Sequence, residues 1–102
     1  AHAAVHQLRA MLMEHGEPEP AALRSGLQWL ADTDLRADLP AIAAPTLVLH
    51  GSHDRLVPPA AAKFLAERLP AARLTLIPSA GHAPFLSHAD ATWNALNEFL
   101  DV

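Results

Sequence analysis

Two residues in this sequence have the types and the setting to move a proton together, Asp54 and His82. Asp54 lies in His50-Gly-Ser-His-Asp-Arg-Leu-Val-Pro58, and His82 in Pro78-Ser-Ala-Gly-His-Ala-Pro-Phe85. A carboxylate accepts a hydrogen bond from imidazole Nδ1–H. It fixes the tautomer and stabilises the imidazolium that forms when Nε2 takes a proton. Each residue also has a plainer reading. Aspartate favours turns and helix approaches, and a loop histidine is commonly satisfied by backbone. The pairing of the two loops favours the proton relay over either plain reading. Gly51 is expected to let the chain turn off a strand, and Gly81 to let the histidine loop bend back over it.

The other histidines carry less. His50 and His53 have H-x-x-H spacing, but the first ends an apolar run and the second lies in a turn. They do not share a helical face, which argues against a metal site. His2 and His6 are four apart on a predicted helix with no third ligand, and read as a solvated or partner-facing surface. No metal and no cofactor is expected. His88 reads as the start of the last helix, with Ser87 as its N-cap. Phe85, next to His82, is a candidate substrate contact together with His82 itself. Trp29, Trp93, Phe64 and Phe99 read as core.

The elements that must position this pair follow from periodicity and prolines. Residues 1–15 read as a helix with Val5, Leu8, Met11, Leu12 and His15 near one face. Gly16-Glu-Pro-Glu-Pro20 breaks it. Residues 21–31 read as a second helix with Leu23, Leu27 and Leu30 on one stripe, and 32–40 as polar linker. Thr46–His50 reads as a strand buried on both faces. Residues 60–69 read as a helix introduced by Pro58 and Pro59. Arg73–Ile77 reads as a second strand. Residues 88–101 read as a closing helix with Trp93, Leu96, Phe99 and Leu100 facing inward. The second half is therefore a βαβα unit, with two parallel strands and a crossover helix. Both loops then leave the carboxyl edge of one sheet, where functional residues gather in open α/β sheets.

At 102 residues the chain is at most one small domain, and its 51% apolar content is that of a globular protein. It opens at Ala1 directly into helix-like sequence and is expected to be a piece of a longer protein. The net charge of −4, with no basic run, argues against nucleic-acid binding. No stretch has the length and apolarity of a membrane span. Cysteine is absent, so no disulfide or thiolate metal site is possible. That fits a cytoplasmic location.

Gly51-x-x-Asp54-x-x-Val57-Pro58, then a helix, a strand and Gly81-His82-x-Pro84-Phe85, is similar to the acid and base segments of α/β-hydrolases. That fold orders its triad as nucleophile, acid, histidine. A closer resemblance lies in Gly26-Leu-x-x-Leu30-x-x-Thr33-Asp34-Leu35-Arg36-x-x-Leu39 and in His82-Ala83-Pro84-Phe85-x-Ser87-His88. These resemble the pimeloyl-[acyl-carrier protein] methyl ester esterase family of biotin synthesis over nearly the whole chain. The resemblance implies the C-terminal part of an α/β-hydrolase. Residues 1–39 would be the end of a helical cap plus linker, and 40–102 the C-terminal βαβα part of the core. It implies a serine carboxylesterase, with an ester presented on acyl carrier protein. The family's cap is expected to offer basic residues to that acidic carrier. Here the first helix offers His2, His6, Arg9 and His15, with the histidines mostly neutral at pH 7.

The nucleophile is missing. None of Ser25, Ser52, Ser79 and Ser87 lies in a Gly-x-Ser-x-Gly elbow. The chain alone is expected to be inactive. Its sheet edge is expected to pair with the N-terminal half of the same protein or with a second copy. Other α/β-hydrolases (a general carboxylesterase, a lactonase, a C–C hydrolase) and a non-catalytic binding module of the same fold also fit the residues.

Overall fold

The computed structural model describes residues 2–101, without the side chains of His2 and Ala4, and the chain divides between Leu35 and Arg36 into two units. The His2 half of the His2/His6 pair therefore lies outside the described side chains.

The first unit holds two helices, α1 (His2–Met13) and α2 (Pro20–Asp32). The first stops short of residue 15. Gly16 has φ 85°, and its N–H bonds Met13 O at 3.1 Å. That is the left-handed conformation in which glycine commonly ends a helix. Pro20 opens α2 at a first-turn position, where its missing N–H costs nothing. The stripe of Leu23, Leu27 and Leu30 forms as the periodicity predicts, yet all three stay exposed. Trp29, expected in a core, is 75% exposed. An apolar stripe is buried only where a second surface meets it, and the described residues of this unit supply none.

The second unit runs from a 3₁₀ helix (Arg36–Ala41) through β1 (Thr46–Gly51), α3 (Pro59–Arg68), β2 (Ala72–Ile77) and α4 (Pro84–Ser87) to α5 (Ala89–Leu100). The stretch read as linker thus ends in a helical turn that buries Leu39. The strands are parallel, in register from Thr46↔Ala72 to Gly51↔Ile77. Helix α3 makes the crossover, and both α3 and α5 pack on both strands. Side chains alternate along each strand, so Leu49 and Ile77 share one face, where Ala80 and Ala95 join them in the core.

Four expectations need correction. The first strand is half-buried from Thr46 to His50 rather than buried on both faces, and β2 is half-buried too apart from exposed Arg73 and buried Ile77. A sheet of two strands leaves each with an open edge. On α5 the residues turned inward are Thr92 and Ala95. Trp93 is 63% exposed and Leu100 is exposed too, while Leu96 and Phe99 are half-buried. Of the two inward residues, Ala95 packs into the core with Ile77 and Ala80. Phe64 is also only half-buried, with the Arg68 guanidinium 4.7 Å from its ring centre. Lastly, Ser87 does not cap α5. Pro84 starts a short helix that already includes Ser87, so His88 is the N-cap residue and makes no side-chain cap bond. Ser87 Oγ instead lies 2.8 Å from His88 Nδ1.

Candidate functional site

The register puts Gly51 opposite Ile77, so both strands end together and both loops leave the same edge. Three hydrogen bonds lace the loops to each other. Ser52 N–H donates to Ile77 O at 3.0 Å and His53 N–H to Ala80 O at 2.8 Å. Ser79 N–H donates to Ser52 Oγ at 2.9 Å. Gly51 is required by this closeness. A Cβ there would run into the carbonyl oxygens of Gly81 and Ala80, and would lie 2.7 Å from Ala80 C. The freedom expected of Gly81 is not used, because its φ is not positive and a Cβ would meet open space. The left-handed residue of that loop is Ser79, at φ 64°.

Asp54 is the centre of the site and is 7% exposed. Its Oδ1 accepts from Leu56 N–H at 2.9 Å and Val57 N–H at 3.0 Å, a local turn that aspartate is suited to make. Its Oδ2 lies 2.9 Å from His82 Nδ1 and 3.3 Å from His50 Nε2. Burial pushes the Asp54 carboxyl up, but the Val57 amide, His82 and the Leu56 amide outweigh it and hold the group below its ordinary 3.8. Asp54 is therefore a carboxylate at neutral pH. Against a carboxylate, His82 Nδ1 must carry the hydrogen. Nε2 is then the acceptor nitrogen, on a side chain 54% exposed. The arrangement can take a proton at Nε2 and stabilise the resulting charge through Asp54.

The structure brings Asp54 and His82 together. Phe85 follows on α4 with its ring exposed. The H-x-x-H pair does not converge. His53 is exposed, while the His50 ring turns to Asp54 and Val57. Among the described residues, no group of three or more His, Asp or Glu side chains is placed to hold a metal ion. Sequence reasoning missed His50 and the Ser52 hydroxyl as parts of the site. A histidine at the strand's end, four residues before the acid, was the available signal for His50. Nothing local marks Ser52, whose partner lies in the other loop.

A family model for the alpha/beta hydrolase fold matches residues 12–89. The chain is 45% identical over 100 residues to the pimeloyl-[acyl-carrier protein] methyl ester esterase of Xanthomonas oryzae pv. oryzae (strain MAFF 311018), covering 98% of this chain and 40% of that protein. It is 51% identical over 83 residues to the enzyme of that name from Aromatoleum aromaticum, covering 81% of this chain and 33% of the relative. Among solved structures it is similar to a thermophilic esterase from Thermogutta terrifontis. There the TM-score is 0.64 and the identity 35%, over 67% of this chain and 25% of that one. The chain thus spans about 40% of the length of the curated relatives it matches.

Proposed function

This chain belongs to the α/β-hydrolase fold family, and from that premise we propose that it is the acid–base arm of a serine carboxylesterase acting on the methyl ester of a pimeloyl chain carried by acyl carrier protein. One observation carries the chemistry: the 2.9 Å contact between Asp54 Oδ2 and His82 Nδ1, which leaves Nε2 on an exposed ring. The identity to esterases of that name over 98% of the chain supports the substrate.

A serine supplied from outside these residues attacks the ester carbonyl while His82 Nε2 takes its proton. The same nitrogen returns the proton to the departing methanol. A water molecule then gives up a proton to Nε2 and attacks the acyl carbonyl, and Nε2 passes that proton to the departing serine oxygen as the acid is released. Asp54 orients His82 throughout, and no cofactor takes part. Phe85, exposed on α4, is assigned to contact the acyl chain beside His82. Arg9 and His6 on α1, with His15 just beyond its end, are the candidate contribution of this unit to an acidic carrier. The working location is the cytoplasm. No helix among the described residues is long and apolar enough to cross a membrane.

In the intact, relative-length protein, His82→Ala should lower methyl ester hydrolysis about a millionfold with the fold unchanged. Retained turnover would sink the assignment. Rescue of biotin auxotrophy by the intact protein separates the pimeloyl ester from other esters, since a general carboxylesterase would not restore growth.

A further inference from the structure

His50 is the second-last residue of β1, and its side chain is 13% exposed. Its Nε2 lies 2.8 Å from Val57 O. A carbonyl oxygen only accepts, so Nε2 carries the hydrogen. The same nitrogen is 3.3 Å from Asp54 Oδ2, so the ring packs against that oxygen while its hydrogen bond goes to Val57 O. Val57 in turn donates its N–H to Asp54 Oδ1 at 3.0 Å. The three residues close a circuit: a hydrogen bond from imidazole to carbonyl, one from amide to carboxylate, and a 3.3 Å approach of imidazole to carboxylate.

This circuit does two things. It ties the turn at residues 54–57 back to the end of β1. It also fixes the rotation of the Asp54 carboxylate, a torsion that is intrinsically broad and two-fold. With His50 in place, Oδ1 is committed to the Leu56 and Val57 amides and Oδ2 faces His82. Without it, Oδ2 retains His82 alone, on a side chain 54% exposed, and Val57 O loses its imidazole donor.

We propose that His50 is a positioning residue, which holds the Asp54 carboxylate in the plane that His82 requires. The proposal rests on the acid–base reading of Asp54 and His82 above. His50 touches no reacting atom and acts through Asp54.

The test uses the intact, relative-length protein with His50→Phe, which keeps a ring but has no donor, and His50→Gln, whose amide N–H can reach the same oxygens. The readouts are kcat and KM for the methyl ester, the low-field proton resonance of His82 Nδ1–H, and the His50 tautomer from ¹⁵N NMR of the wild type. His50→Phe should lower kcat about tenfold with KM unchanged, and should shift or broaden the His82 resonance. His50→Gln should restore both. An unchanged kcat and resonance in His50→Phe would overturn the proposal, as would equal losses in both variants. So would a wild-type His50 protonated at Nδ1 and bare at Nε2. The tautomer needs no substitution, so it judges the proposal even if His50→Phe does not fold. The tautomer and the His82 resonance also need no turnover. A wild type that hydrolyses no ester sinks the esterase reading, while these two readouts still decide the role of His50.

Discussion

At the scale of the residue, the site depends on keeping one buried carboxylate charged. Asp54 is 7% exposed, which opposes ionisation, and its two backbone donors and His82 reverse that. The folded carboxyl therefore sits lower than its ordinary 3.8. The unfolded state binds the proton more readily, so ionised Asp54 stabilises the fold fully above 3.8. That contribution is lost as the pH falls through the lower folded value. Asp54→Asn removes the titration. The stability advantage of the wild type over Asp54→Asn in the intact protein should shrink as pH drops below 3.8. Denaturant midpoints of the two proteins across that range provide the measurement, and an advantage that widens with acid would contradict it. The identity of this residue was legible in the sequence, because Gly51-x-x-Asp54 follows an apolar run. Its two amide donors were not, since they depend on the turn that residues 54–57 adopt.

At the scale of the element, two parallel strands of equal length bring the loops together, and Gly51 sets how closely. The strands, the crossover helix and their order could all be read from periodicity and prolines, because each is a local pattern. Ends and faces were less legible. Ser87 was read as a cap, yet Pro84 three residues earlier had already begun a helix. Trp93 reads as core by its type, yet the buried residues of α5 are Thr92 and Ala95. Gly51 looked like a turn residue and proved to be a point of contact with backbone that a Cβ would strike. Since backbone, unlike a flexible side chain, must move as a unit, Gly51→Ala should destabilise the intact protein by about 2 kcal/mol or more. A denaturant midpoint equal to the wild type's would show that the loops yield freely.

At the scale of the whole molecule, what is unpartnered stands out in each unit. The α1 and α2 helices leave Leu8, Met11, Leu12, Leu23, Leu27, Trp29 and Leu30 exposed. Among the described residues, the second unit leaves Trp93 and Leu100 exposed and has a sheet of two strands. Two strands are marginal alone, and an open edge pairs with further chain. The relatives are about two and a half times as long, in keeping with 40% coverage. The partner we propose for these surfaces is the remainder of such a protein. Expressed alone, the 102 residues should self-associate in sedimentation experiments through the same apolar faces. A monodisperse monomer with cooperative unfolding would overturn that expectation.

Asp54 and His82 as candidates, the βαβα order and the parallel sense of the strands were determined by the sequence alone. Residue type, hydrophobic period and proline placement act within a few positions of the chain, and each can be read in one dimension. Only the tertiary structure decided that His82 Nδ1 meets Asp54 Oδ2, that His50 turns onto the same carboxylate, and that Gly51 lies against the Gly81 carbonyl. Those contacts depend on how far two loops approach across a sheet edge. That distance is set by strand register and packing, which no short run of residues encodes.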